Sequence, residues 1–423
     1  MEEKRRILKG DRYIWGAFIG LCGISILAMF SASGTLTYNS DDIYAPLIKH
    51  VTFLAVSFCV AFLVHHIHYK YLRLIGFPLF LLSSLMLMYT LFFGEKINDA
   101  ARWIEVFGIP IQPSELAKLG VIITTSYYLA KGQVEKGVSN NALWKIIGVL
   151  VISCMLIFTE NFSTAALIGL VTYCMMIIGG VSFNKLFILF TTVVLIVGGI
   201  LLTAKVLDEE YPNKKNFFMS AVHRANMWNN RIANFTDGGD IPEYEKETTD
   251  ENFQEHHAYM AIANSKGIGL GIGNSLERDS LPQAYSDFIY AIILEEWGLI
   301  GGLFVMWLYL SILHRTLQNT RRCTQAFPAF LMMGIAMLIV FQAIINMMVA
   351  TGVMPVTGQP LPIISRGGTS IVITGVYFGI LLSISRYTTA QNNGENTNKD
   401  KKTEEEDLPE SISAPNPGLK EDL

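Results

Sequence analysis

Charge is scarce in this chain. Only 16% of its 423 residues are Asp, Glu, Lys or Arg, against about 25% in an ordinary soluble protein, which excludes a water-exposed surface over most of its length. Cysteine is scarce too. Of the five, Cys22, Cys59, Cys154 and Cys174 lie inside apolar stretches and Cys323 lies in a basic loop. That pattern offers neither a disulfide framework nor paired metal-ligand spacing. The net charge of -4 leaves no nucleic-acid footprint. No small-residue cleavage site follows the first apolar stretch, so an uncleaved first span is expected rather than a signal peptide.

What is abundant is apolar sequence: 51% of the residues and a mean hydropathy of +0.37. It falls into ten stretches, at 13–32, 46–65, 74–93, 113–130, 143–159, 162–181, 184–204, 286–312, 328–351 and 369–388. Most have the length that a bilayer of roughly 30 Å demands of a helix. The expected fold class is therefore all-α: a polytopic membrane helix bundle of about ten transmembrane helices with one large extracytoplasmic loop, at about 205–285. Fifteen Lys and Arg fall in the candidate inside segments, from Lys4, Arg5 and Arg6 to Arg386. Four fall in the short outside loops, Lys49, Lys96, Arg102 and Arg366. That asymmetry predicts that both termini are cytoplasmic. The predicted membrane domain covers 1–390, and 391–423, almost free of apolar residues, reads as a disordered cytoplasmic tail.

In the large loop, Arg224 and Arg231 stand two helical turns apart beside Met227 and Trp228, which predicts a short amphipathic helix able to offer guanidinium groups to a phosphate. The acidic stretch 237–255 reads as a solvated excursion. Gly267, Gly269, Gly271 and Gly273 alternate and do not match a Gly-x-Gly-x-x-Gly dinucleotide pattern; positive φ or a close backbone approach is expected there. Asp287 opens the eighth span, where a carboxylate is either an ordinary helix-end residue or a reactive one. Glu295 and Glu296 lie about 12 Å deeper at 1.5 Å per residue and should face the bundle interior or a wet cavity.

In the fourth span Pro113 opens a helix that places Glu115 and Lys118 on one face. They either pair or line a substrate cavity. Between spans nine and ten, Pro355, Pro360, Pro362 and the Gly367–Gly368 pair predict non-helical backbone at membrane depth, tolerated only beside protein or water. His65, His66 and His68 read as interfacial side chains rather than ligands.

Taken together these motifs resemble the SEDS family, the FtsW, RodA and SpoVE proteins of bacterial cell-wall synthesis. The residues carrying the resemblance are Ala101-Arg102-Trp103 with Gln112 to Lys118; Ala261-Ile262 through the glycine stretch to Leu281-Pro282, Asp287-Phe288-Ile289 and Glu295 to Gly301; and Asn346-Met347, Pro355 to Gly358, Pro360 to Pro362 and Gly367 to Ser370. Three departures are visible. Tyr285-Ser286 precedes the Asp where the family often has His-Thr, Arg366 stands where Tyr is common, and Glu160-Asn161 replaces a Pro-Asp pair.

The resemblance implies a peptidoglycan glycosyltransferase that polymerises lipid II at the outer face of the bacterial cytoplasmic membrane. The expected partners are a class B penicillin-binding protein that cross-links the product, and other divisome membrane proteins. It implies that Asp287 is catalytic, taking the proton of the sugar 4-hydroxyl while cations receive the departing pyrophosphate, with inversion at the anomeric carbon. Arg102, Lys118, Arg224 and Arg231 are the candidate pyrophosphate partners, and Glu115 and Ser370 complete the candidate substrate-binding set. No metal ligand set and no cofactor is expected, with a divalent cation at the pyrophosphate left open. The sequences around Tyr285 to Phe288 and in the tail favour a division-type protein at the septum over an elongation-type one. A lipid II flippase and a transpeptidase-recruiting scaffold are the other readings.

Overall fold

The computed structural model describes residues 8–32, 44–93, 103–106, 109–135, 137–158, 161–210, 217–236, 252–281 and 284–406. For 106, 109, 205–210, 217–221, 223–224, 234 and 389–406 it gives the main chain alone. In chain order the helices are α1 (Arg12–Ala32), α2 (Ala45–His66), α3 (Tyr69–Phe93), α4 (Pro113–Lys131), α5 (Asn140–Phe158), α6 (Phe162–Ile178), α7 (Phe183–Glu210), α8 (Phe217–Thr236), α9 (Phe253–Asn264), α10 (Ile289–Thr320), α11 (Ala326–Ala350) and α12 (Thr369–Glu406). Two small antiparallel hairpins flank α4: β1 (Ile104–Val106) with β2 (Ile109–Ile111), and β3 (Gln133–Val134) with β4 (Gly137–Val138).

Among the described residues, eight helices are long and apolar enough to cross a membrane: α1, α2, α3, α5, α7, α10, α11 and the part of α12 up to Thr388. α4, which carries Glu115 and Lys118, and the shorter α6 complete the ten expected spans. The chain is a multi-pass membrane protein. Two helices run past their expected ends: α10 continues to Thr320 rather than residue 312, and the α12 main chain continues to Glu406 rather than residue 388, into the expected tail. Tertiary contact with Asp11, described below, holds the polar last turn of α10 in helical form.

Lipid is as apolar as the helices, so packing and polar ties rather than hydrophobic burial hold the bundle together. α10, α11 and α12 are mostly enclosed by protein, while α7 lies almost wholly on the outside. α12 packs most extensively on α2, α3 on α4, and α10 on α11. At the first of these contacts Gly375 meets the Ser57 backbone, where any Cβ would overlap it. Ser57 Oγ also donates to Ile371 O at 2.8 Å. Phe18 stacks on Phe378 with ring centroids 4.5 Å apart and carries α1 onto α12.

The end of the bundle away from Asp287 is closed by a clasp. Buried Asp11, just before α1, accepts from Arg315 Nη2 at 2.8 Å and Asn319 Nδ2 at 2.9 Å, and the Asp11 amide donates to Ser385 Oγ at 3.0 Å. Burial pushes the Asp11 carboxyl up, but hydrogen bonds from Arg315, Asn319 and the Tyr13 amide outweigh it and leave it below the usual carboxylate value.

Candidate active site

α11 ends at Ala350 and the chain then runs without helix from Thr351 to Gly368, most of residues 357–365 being buried. Buried backbone in a membrane protein needs its polar groups satisfied, and this segment receives donors from many directions. Ser25 Oγ of α1 donates to Ile363 O at 2.8 Å, with His50 Nε2 of α2 at 2.7 Å from the same hydroxyl. Ser163 Oγ of α6 donates to Thr357 O at 2.7 Å, and Tyr309 Oη of α10 donates to Pro362 O at 2.5 Å. Gln342 Nε2 of α11 donates to Pro360 O at 2.9 Å, and Arg231 Nη1 of α8 donates to Val356 O at 2.8 Å. Ile363 sits at φ 69°, a left-handed conformation that a β-branched residue rarely adopts. The Ser25 bond holds its carbonyl there.

This segment grips the start of α10. Three consecutive main-chain carbonyls each find a donor: Tyr285 O from the Arg366 amide at 2.9 Å, Ser286 O from Ser365 Oγ at 2.5 Å, and Asp287 O from Asn346 Nδ2 at 2.7 Å. The Asp287 side chain is half-buried. Its Oδ1 accepts from Ser286 Oγ at 3.0 Å. Its Oδ2 faces Gly358, where a Cβ would come to 3.7 Å and where φ is 66°. A Cβ at that distance would be in ordinary contact, so it is the positive φ that favours glycine here. The Arg366 guanidinium lies 5.3 Å from the Tyr285 ring centroid, a cation–π contact beside the carboxylate's own turn.

α4 supports the same segment from behind. Pro113 opens the helix after extended Gln112, and Glu115 sits in the first turn, near the helix's positive end. Lys118 Nζ lies 2.7 Å from Glu115 Oε1 and 3.0 Å from Gln342 Oε1. Lys118 is 1% exposed and Glu115 4%, so the pair is part of the packed interior. At α6, Asn161 caps the helix by accepting from the Thr164 amide at 3.1 Å, the task an Asp performs equally well. Thr164 Oγ1 in turn accepts from Gln359 Nε2 at 2.8 Å.

The alternating glycines take φ of 78°, 94°, 93° and 84° at 267, 269, 271 and 273 and lie against a break in α10. Gly298 has φ 67° there, and the Leu270 and Gly271 amides donate to Glu295 O and Glu296 O, each at 2.9 Å. Glu295 and Glu296 face inward as expected. Glu295 Oε1 accepts from the Leu276 amide at 3.1 Å and its Oε2 from Ser275 Oγ, while Glu296 Oε1 accepts from Ser31 Oγ and from the Ser275 amide at 3.3 Å. The two acids bind the glycine strap to α10 a few turns below Asp287.

The expected site residues are therefore placed unequally. Asp287, Glu115 and Lys118 join one connected network. Arg231 reaches the same segment from α8 and spends one guanidinium nitrogen on Val356 O. Ser370 lies largely buried in the first turn of α12, where its amide closes on Gly367 O at 2.9 Å. Arg102 lies outside the described residues, and Arg224 lies on α8 with its side chain outside them. Sequence reasoning passed over Gln342, Ser25 and His50 and gave Asn346 and Gln359 no role beyond the motifs they stand in; a polar side chain inside an apolar run was the available signal.

The family pattern described as "Cell cycle protein", that of FtsW, RodA and SpoVE, matches residues 12–390. This chain belongs to that family. It is 30% identical over 380 residues to a Haemophilus ducreyi protein named "Probable peptidoglycan glycosyltransferase FtsW", covering 88% of this chain and 89% of that one. A Bacillus subtilis protein of the same name is 28% identical over 392 residues, covering 91% and 92%. Among solved structures, the FtsW/RodA/SpoVE fold recurs at a TM-score of 0.67 and 22% identity, over 90% of this chain and 98% of the other, in a study of how a peptidoglycan synthase complex coordinates polymerization and crosslinking. It recurs at 0.59 and 20%, over 89% and 97%, in the rod shape determining protein RodA of Thermus thermophilus.

Proposed function

We propose that this chain is an inverting peptidoglycan glycosyltransferase that polymerises lipid II, a disaccharide-pentapeptide carried on a lipid diphosphate, at the outer face of the cytoplasmic membrane. The observation that carries the reading is Asp287: a half-buried carboxylate at the start of a membrane helix, its main chain fixed on three successive carbonyls. A base held in one orientation is what proton abstraction from a sugar hydroxyl requires. Asp287 takes the proton of the acceptor 4-hydroxyl as that oxygen bonds to the anomeric carbon. The bond from that carbon to the lipid diphosphate breaks, and its electron pair leaves with the diphosphate. Attack opposite the leaving group inverts the centre.

Positive charge must meet the diphosphate. Arg366, half-buried on the segment that grips Asp287, is placed for it, with Arg231, Arg102 and Arg224 as further candidates. Lys118 is committed to Glu115 and Gln342, and we assign it, with Glu115, to the support of the segment. We also propose that both termini lie in the cytoplasm and that the protein works at the division septum beside a class B penicillin-binding protein; the FtsW-named relatives support the division role.

The test is purified protein with its transpeptidase partner in liposomes, given labelled lipid II already on the outer side. Polymer formation supports the reading. Translocation of lipid II without polymer would make the chain a transporter instead. Chelator added to the active reaction reports whether a divalent cation takes part.

A further inference from the structure

Asn346 and Gln342 stand one turn apart on α11 and face the same segment. Nothing in the sequence marks them as reactive. Asn346 Nδ2 donates to Asp287 O at 2.7 Å and to Gln359 O at 2.8 Å. Both partners are carbonyls, so the amide nitrogen must face them and the side-chain orientation is decided by chemistry. The amide oxygen, Oδ1, is then buried with no protein hydrogen-bond partner among the described residues. An unsatisfied buried acceptor is a standing cost, and an aliphatic residue would avoid it. The fold retains the carboxamide because its two donors do something an aliphatic side chain cannot.

What they do is join two chain segments that are 72 residues apart in sequence at one point on a rigid helix. Ser365 and Arg366, the other two donors to the 285–287 turn, belong to the non-helical segment and move with it. Asn346 does not: it sits on α11, 1% exposed. Gln342 fastens the next carbonyl of the segment, Pro360 O, and is itself held by Lys118, which is held by Glu115. The helix thus sets Asp287 and the segment carrying Gly358 in one frame, and Gly358 is the residue against Asp287 Oδ2.

We propose that Asn346 is a positioning residue for Asp287: it fixes the Asp287 main chain to the Gln359 carbonyl and so aims the carboxylate at the acceptor hydroxyl. This rests on the glycosyltransferase reading above. A positioning residue contributes to turnover rather than to substrate affinity, and a misplacement of 1 Å can cost roughly 100-fold. Removing it should lower kcat and leave KM nearly unchanged.

The experiment compares Asn346→Ala and Asn346→Asp with the wild type and Asp287→Asn, in the complex with the transpeptidase, measuring kcat and KM for lipid II together with the detergent melting temperature. Asn346→Asp keeps the size and offers no N–H to either carbonyl. The expected result is a loss in kcat of roughly 10- to 100-fold, KM within about threefold, and melting close to wild type in at least one of the two variants. If the wild type polymerises, Asp287→Asn is inactive and a folded Asn346 variant keeps kcat within about threefold, the proposal is overturned while the glycosyltransferase reading stands. If neither Asn346 variant folds, the residue holds the fold and the proposal is likewise overturned. If the wild type makes no polymer, it is the glycosyltransferase reading that fails.

Discussion

The buried pair Glu115–Lys118 gives a prediction whose size follows from the geometry. At 2.7 Å two unit charges attract by about 6 kcal/mol at an effective dielectric near 20. Removing both from water costs several kcal/mol per ion, so the pair as a whole contributes little net stability. Breaking it is another matter. Lys118→Met leaves the Glu115 carboxylate buried without its cation and Gln342 Oε1 without its donor, and should cost about 3–5 kcal/mol. Glu115→Gln combined with Lys118→Met removes both charges and should return to within about 2 kcal/mol of the wild type. The assay is SDS titration in mixed detergent micelles, followed by tryptophan fluorescence. A single variant as stable as the wild type, or a double variant worse than the single, would refute the argument that the pair is self-cancelling. Activity should follow stability for the single change, because Lys118 supports Pro360 through Gln342.

Three further outcomes are expected. Asp11→Asn weakens the clasp by about 2 kcal/mol, the worth of charge-assisted hydrogen bonds; because the folded-state value lies below the ordinary 3.8, that stability is present at neutral pH and lost as pH falls through the folded value. Melting curves of wild type and variant should therefore differ from pH 7 to 5 and converge only as pH falls below the folded-state value. Gly298→Ala, at φ 67° with a Cβ overlapping the Ile268 carbonyl, should cost more than about 2 kcal/mol and loosen the glycine strap, read as faster proteolysis between α9 and α10. Arg231→Ala frees Val356 O and should cost about 1 kcal/mol, with a larger loss of turnover if its other nitrogens also meet diphosphate.

The helices were legible because hydropathy and length report on the solvent around a segment, and here lipid sets both. Tyr69 shows the limit: the third span starts five residues earlier than expected, since a tyrosine and lysine turn at the interface carries no apolar signal. Glu295 and Glu296 were legible as inward-facing because an acid at that depth has no other place to go. The glycine strap was legible as a close approach, but its partner was not, since contact with α10 at Gly298 depends on tertiary packing. Lys118 read as half of an ion pair or as a ligand cation; the pair with Glu115 forms, and Gln342 arriving from α11 adds a partner that no local spacing announces. Asn346 was legible as part of a family motif but not in its role, which lies in two carbonyls supplied by distant segments.

The most direct test of the account is the turnover of Asp287→Asn on lipid II in the intact complex. That change keeps the side chain's shape and its Ser286 contact but cannot take a proton. General-base assistance is worth roughly 10²- to 10⁴-fold, so kcat should fall at least a hundredfold while lipid II binding and melting temperature stay near the wild type. Polymerisation at the wild-type rate by a folded Asp287→Asn protein would contradict the account at its centre.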